Sequence, residues 1–246
     1  MNSILVTGGT GKLGRPTVDL LREAGHDVRV LSRSEGPGRT VGDLANGAGL
    51  DGALTGIDTV LHLATTSRKD SGQTKNLVDA AARAGVAHLI YISIVGVDKI
   101  PFPYYVDKLE CERIIESSGL QYTILRATQF HEFVAMILRP QRRLPVTMVP
   151  KLSVQPIAIE EVAARLVELA AASGPAGRVQ DIGGPERLTG RELATIWNSA
   201  QGRSGAIWSL ALPGRIFATY AAGHHMTPLP GYGKKTFGEY AAEAAK

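Results

Sequence analysis

The sequence predicts a doubly wound α/β fold, with one parallel sheet covered by helices on both faces and a smaller lobe after it. Three observations carry this expectation. A short apolar strand, a glycine-rich turn and a helix open the chain. Apolar runs of strand length then alternate with helical patterns as far as Arg126, which implies parallel pairing. Beyond about Gln129 the rhythm loosens, and Pro140, Pro145, Pro150 and Pro156 interrupt it. The 246 residues are enough for one large domain. The expected division is a core over 1–130 and a lobe over 131–246, both within one structural domain.

The elements follow in order. Ser3-Ile4-Leu5-Val6 is the first strand. Val18, Leu20 and Leu21 give the first helix its apolar stripe, and Gly25 stops it. His26 to Ser32 is the second strand, and Val41-Gly42-Asp43-Leu44 ends the third. Leu50 to Gly56 reads as a short helix, Thr59 to Ala64 as the fourth strand, and Thr74 to Ala84 as a helix closed by Gly85. Lys75 and Asn76 are expected to be surface and capping groups of that helix. Ala87 to Ser93 is the fifth strand, Tyr104 to Ser118 a helix ended by Gly119, and Tyr122 to Arg126 the sixth strand. Later, Ile159 to Ala172 is an amphipathic helix and Arg178 to Ile182 a strand, followed by the turn Gly183-Gly184-Pro185. Thr189 is placed to cap a further helix, with Glu192 three residues on. Phe130, Phe133, Met136, Trp208 and Phe217 fit a hydrophobic pocket or ordinary core packing equally well.

Composition excludes several classes. The net charge is +4, but Lys and Arg are scattered rather than blocked, which argues against a nucleic-acid partner. The single cysteine, Cys111, rules out an intramolecular disulfide and reads as an inert thiol in a helix. No basic-then-apolar leader and no apolar run of spanning length is seen, so a cytoplasmic protein without a membrane partner is expected. No residues are assigned to a metal. The long helices could support a homodimer.

The chemistry starts at Gly8-x-x-Gly11-x-x-Gly14. Gly8 permits the tight turn, Gly11 lets backbone approach a pyrophosphate, and Gly14 lets helix and strand pack closely. The N–H groups at the helix start then hold the phosphates. The plainer alternative is a glycine turn with no ligand. The second strand ends at Ser32-Arg33-Ser34, where an acid would bind the ribose hydroxyls of NAD. A guanidinium there can pair with a 2′-phosphate, so NADP(H) is favoured over NAD(H). His62, inside an apolar run, is expected to be structural or cofactor-lining. Tyr104 and Lys108 share one helix face, and an ammonium beside a phenol lowers its pKa toward the acid–base range. The alternative is that Tyr104 packs and Lys108 touches only a cofactor ribose.

At these residues the chain resembles the short-chain dehydrogenase/reductases, in particular their atypical NmrA-like branch of NAD(P)H-binding proteins. The matching stretches are Thr7 to Gly14, Gly42-Asp43-Leu44, Tyr91-Ile92-Ser93, Tyr104-x-x-x-Lys108, Leu125 to Phe130, Gln155-Pro156-Ile157 and Glu161-Val162-Ala163. The resemblance implies a Rossmann-type sheet with its C-terminal lobe on the substrate side. It implies that Thr10, Gly11, Lys12 and Leu13 hold the pyrophosphate and Arg33 the 2′-phosphate. Asp43 and Leu44 would contact adenine, Ala64 and Thr65 line the cofactor, and Lys108 reach the nicotinamide ribose. Gln129, Phe130 and His131 would border the substrate, with His131 equally able to face solvent. The chain departs from the pattern at Ile94, which follows Ser93 where a second hydroxyl often stands; Ser93 is then the remaining candidate beside Tyr104 and Lys108. The expected function is an NADPH-dependent oxidoreductase passing hydride to a small carbonyl, enone or quinone. The alternative is an NADP(H)-binding redox sensor without turnover.

Overall fold

The computed structural model describes residues 2–66, 69–172 and 174–245. They form two compact units. The first comprises Met1–Ser93, Pro103–Arg126 and Glu160–Gln180; the second comprises Ile94–Phe102, Ala127–Ile159 and Asp181–Lys246.

The first unit opens with Ser3–Thr7 (β1), Gly14–Glu23 (α1), Asp27–Ser32 (β2), Arg39–Val41 (β3), Leu50–Leu54 (α2), Thr59–His62 (β4) and Asp70–Ala84 (α3). Next come His88–Ile94 (β5), Pro103–Glu116 (α4) and Tyr122–Ala127 (β6). In the second unit, His131–Leu138 (α5) runs into a 3₁₀ turn at Arg139–Arg143, then Val146–Pro150 (β7) and Ser153–Val154 (β8). The chain returns to the first unit with Ile159–Ala171 (α6) and Gly177–Arg178 (β9). It ends in the second with Leu188–Thr189 (β10), Gly190–Ala200 (α7), Ala206–Leu210 (β11), Arg215–Ala221 (α8) and Phe237–Glu243 (α9).

The sheet order is β3-β2-β1-β4-β5-β6-β9. The pairings of β1 with β2 and β4, of β2 with β3, of β4 with β5 and of β6 with β9 are parallel. This is the doubly wound, Rossmann-type sheet that the alternation predicts. Its order reverses between β1 and β4, where such sheets hold ligands beyond the carboxyl ends of their strands. All four residues of β4 are buried, as a central strand covered on both faces requires. Leu5, Val60, Leu77, Leu89, Tyr91, Cys111 and Ile115 are among the side chains of its core. The second unit has a separate core in which Trp197 and Phe237 pack with Val134, Leu138 and Leu193.

Three expected elements differ. The third strand is Arg39–Val41 and stops before Gly42-Asp43-Leu44, where Asp43 accepts from the Ala45 N–H instead of continuing the ladder. The third helix begins at Asp70, four residues before Thr74, because its first turn is capped from outside: Asp107 of α4 accepts from the Asp70 N–H at 2.6 Å and from the Ser71 hydroxyl. Asn76 does not cap it; its amide donates to the carbonyls of Leu44 and Ala45, while Lys75 pairs with Asp79 at the surface. The strand expected over 178–182 is only Gly177–Arg178, and Ile182 instead bridges Ala127. The cap at Thr189 forms as read, with Glu192 completing a reciprocal capping box.

Candidate functional site

The glycine turn leaves β1 at its carboxyl end. Gly8 has φ +69°, and a Cβ there would lie 2.7 Å from the Ala64 nitrogen, so only glycine lets this turn pass the chain leaving β4. A Cβ on Gly14 would stand 2.1 Å from the Gly8 oxygen, which fixes how closely α1 approaches the turn. At Gly11 a Cβ would meet only the Gly8 oxygen, at 3.1 Å, so its outer side is open. Thr10, Gly11 and Lys12 are exposed, Leu13 is buried, and no side chain caps the start of α1. A narrow glycine cradle at an uncapped helix start suits a pyrophosphate in shape and in charge.

Around the cradle, Arg33 lies exposed just past β2. Asp43 turns its carboxylate back onto the Ala45 N–H at 2.9 Å, ordering its own loop. Leu44 is 7% exposed, its side chain belongs to the core, and its carbonyl accepts from the Asn76 amide. Ala64 and Thr65 follow Leu63 just past the end of β4. The Thr7 hydroxyl accepts from the N–H groups of Leu63 and Ala64, which directs its own proton to His62 Nδ1 at 2.7 Å. His62 Nε2 then donates to Thr74 at 3.0 Å. Burial, with the Lys108 ammonium adding to it, pushes the pKa of His62 down to about 3. His62 is a neutral structural pin.

Tyr104 and Lys108 share the face of α4 that their spacing predicts, but they do not act on each other. Lys108 is 3% exposed, and its Nζ donates to the Tyr91 hydroxyl at 2.9 Å and to the Ile92 carbonyl at 3.2 Å. Tyr104, half-buried, shares a 3.2 Å hydrogen bond with the Thr65 hydroxyl, which in turn donates to Asp70. The expected lowering of the Tyr104 pKa is therefore corrected. Burial raises it, the hydrogen bond to Thr65 opposes that, and the Asp70 carboxylate raises it further. Burial likewise lowers the Lys108 ammonium. Ser93, near the end of β5, is 3% exposed, and its hydroxyl finds no hydrogen-bond partner among the described residues.

The remaining candidates belong to the second unit. Gln129 accepts the Ile157 N–H through its backbone carbonyl, and Phe130 pairs with Ile157 in an isolated bridge. His131 is fully buried, not on a solvent-facing loop. Its Nε2 lies 3.2 Å from the Lys235 carbonyl and its ring stacks on Tyr240. Gln155, buried, donates to the Gly184 carbonyl and accepts the Thr227 N–H, tying three loops together. Sequence reasoning missed the roles of Tyr91, Asp70 and Asp107. Tyr91 lay within a matched stretch, but its bond to a lysine 17 residues away has no local signal.

A family described as NAD(P)H-binding matches residues 8–172. The chain is 31% identical over 215 residues to the (4-alkanoyl-5-oxo-2,5-dihydrofuran-3-yl)methyl phosphate reductase of Streptomyces griseus, covering 81% of this chain and 74% of that one. The NADPH complex of a quinone oxidoreductase from Escherichia coli shares the fold, with a TM-score of 0.84 at 20% identity over 98% of this chain and 99% of that chain. The NADP(H) complex of a Citrobacter triphenylmethane reductase does so with a TM-score of 0.80 at 20% identity, covering 99% of this chain and 100% of the other.

Proposed function

Because the chain belongs to the NAD(P)H-binding family, we propose that it is an NADPH-dependent reductase of a small carbonyl, enone or quinone. The observation that carries this reading is two hydroxyls, those of Tyr104 early in α4 and Ser93 near the end of β5. Tyr104 is held by Thr65, and Ser93 is buried with its hydrogen-bonding capacity unspent. Reductases among the chain's similar proteins support the direction of the reaction.

Thr10, Gly11, Lys12 and Leu13, with Gly8 and Gly14 shaping the turn, hold the pyrophosphate, and Arg33 takes the 2′-phosphate. The bound nicotinamide supplies hydride. Tyr104 gives its proton to the substrate oxygen as hydride arrives; burial raises its pKa and leaves it a weak acid at neutral pH, and its hydrogen bond passes from Thr65 to the substrate oxygen for the transfer. Ser93 donates a hydrogen bond to that oxygen. Lys108 holds Tyr91 and the end of β5 in place. A quinone asks least of this acid, since its developing oxyanion is delocalised.

Absorbance-monitored NADPH oxidation against quinones, aldehydes, ketones and enones tests this, with NADH in parallel. Turnover on one class is expected. Tyr104→Phe should lower kcat by about 10²- to 10⁴-fold on aldehydes and ketones, and less on quinones. An unchanged kcat on every active substrate would remove the acid role. A second reading, a redox-sensing binding protein, is favoured by Lys108 being engaged with Tyr91 and by Ile94 after Ser93. It requires tight NADPH binding with no oxidation of any substrate.

A further inference from the structure

Two long stretches of the second unit contain no acidic residue: 133–159 and 193–238. Between them they carry eight Lys and Arg. Several apolar side chains in the same stretches lie outside the core. Phe133, Met136 and Ile137 stand at helical spacing on the outer face of α5, with Met136 57% exposed. Met148 of β7 and Trp208 of β11 are register partners in a parallel pair, so they stand side by side, and Trp208 is 59% exposed. Leu210 follows on the same face of β11, two residues on, and is also exposed. Exposure corrects core packing, one of the two expectations for Phe133, Met136 and Trp208.

These residues form one surface. The Gln141 side chain donates to the carbonyls of Ile137 and Met148 and accepts the Met148 N–H at 2.8 Å. This joins the exposed face of α5 to that of β7. Around this joint Arg139, Arg142 and Arg143 occupy the 3₁₀ turn, and Lys151 sits where its N–H meets the Leu210 carbonyl. All four are exposed, and no carboxylate pairs with them among the described residues.

An apolar patch ringed by unpaired cations marks a contact site. We infer that this face docks on an anionic lipid surface, with Trp208, Met148 and the α5 side chains entering the interface and the arginines meeting the headgroups. Exposed apolar side chains beside Lys and Arg, with the half-buried Glu132 at the start of α5 as the one acid of that helix, match the two attractions that hold a protein in a membrane interface. A second copy of the chain is opposed by charge, because an isologous contact would set like charges face to face. A nucleic acid would neutralise the arginines but leave Met136, Ile137 and Leu210 uncovered. No helix among the described residues is long and apolar enough to cross a membrane, so the contact is peripheral.

The test is co-sedimentation of the full chain with phosphatidylcholine vesicles, with and without phosphatidylglycerol, together with tryptophan emission. Pelleting is expected only with the anionic vesicles, weakening as salt rises. Emission should shift to the blue, because Trp208 is exposed while Trp197 is already 3% exposed in its core. R142Q/R143Q should lower partitioning by about fivefold for each arginine removed. Both residues lie on the surface, and W208S should abolish the spectral shift. Four results would overturn the inference: no pelleting with anionic vesicles, equal pelleting with neutral ones, partitioning unaffected by R142Q/R143Q, or a dimer in sedimentation velocity that W208S dissolves.

Discussion

Arg33 and Lys108 show how much the same charge depends on where it is held. Arg33 is exposed past the end of β2 and free to meet a phosphate arriving from solvent. Lys108 is buried, and its ammonium is spent on a phenol and a carbonyl. A charge-assisted hydrogen bond contributes about 1.5–3 kcal/mol, so Arg33→Glu should weaken NADPH binding by roughly 10- to 100-fold. NADH binding, which lacks the 2′-phosphate, should change far less. Fluorescence titration with both nucleotides checks this, and equal losses for the two would remove Arg33 from the 2′-phosphate site. At Lys108 the relevant neighbour is Tyr91, whose ring centroid lies 4.5 Å from Nζ. Burial raises the Tyr91 pKa, so its phenol stays protonated beside the lysine.

Between elements, close approach and buried charge set the tolerances. The start of α1 meets its turn so tightly that Gly14→Ala would drive a methyl into the Gly8 carbonyl. Overpacking of that kind costs about 3 kcal/mol, and thermal unfolding should show a lowered Tm together with lost dinucleotide binding. A substitution with unchanged Tm would mean that the turn can open. Helix α4 is joined to β6 by a buried ion pair. Arg126 donates from Nε and Nη2 to the two Glu112 oxygens at 2.8 and 2.6 Å, and both side chains are nearly inaccessible. Breaking such a pair strands a buried charge, so Glu112→Gln should cost about 3–5 kcal/mol in urea unfolding. The double variant E112L/R126M should cost much less, because no charge is left unpaired. Equal losses in the single and double variants would show that packing, not charge, sets the cost.

Across the whole molecule, stability should fall as the solution becomes acidic. His62 is neutral in the fold down to about pH 3, whereas an unfolded histidine binds its proton near pH 6.5. Between those values the unfolded chain holds a proton that the folded chain does not. Stability is therefore lost as pH falls, at about 1.4 kcal/mol per pH unit from this residue. Burial lowers His88 and His225 in the same direction. Urea midpoints should drop from pH 7 to pH 5, and His62→Asn should flatten that slope; an unaltered slope would mean that other groups carry it. Charge is also unevenly shared. The second unit has twelve Lys and Arg against seven Asp and Glu, so the overall excess of +4 belongs to it. A count over the full chain hides this, and for that reason the cations looked scattered.

The sequence by itself determined the doubly wound sheet, the glycine cradle and the two helical neighbours Tyr104 and Lys108. Each of these rests on short-range periodicity or on conformations open only to glycine. It also determined the Thr189 cap, whose partners lie three residues apart. Only the tertiary structure decided which phenol Lys108 holds, why α3 begins at Asp70, that His131 is buried, and that Trp208 and Met148 share an exposed face. Those contacts join residues far apart in the chain. Burial and hydrogen bonding between such residues come from packing, and local pattern carries no record of them.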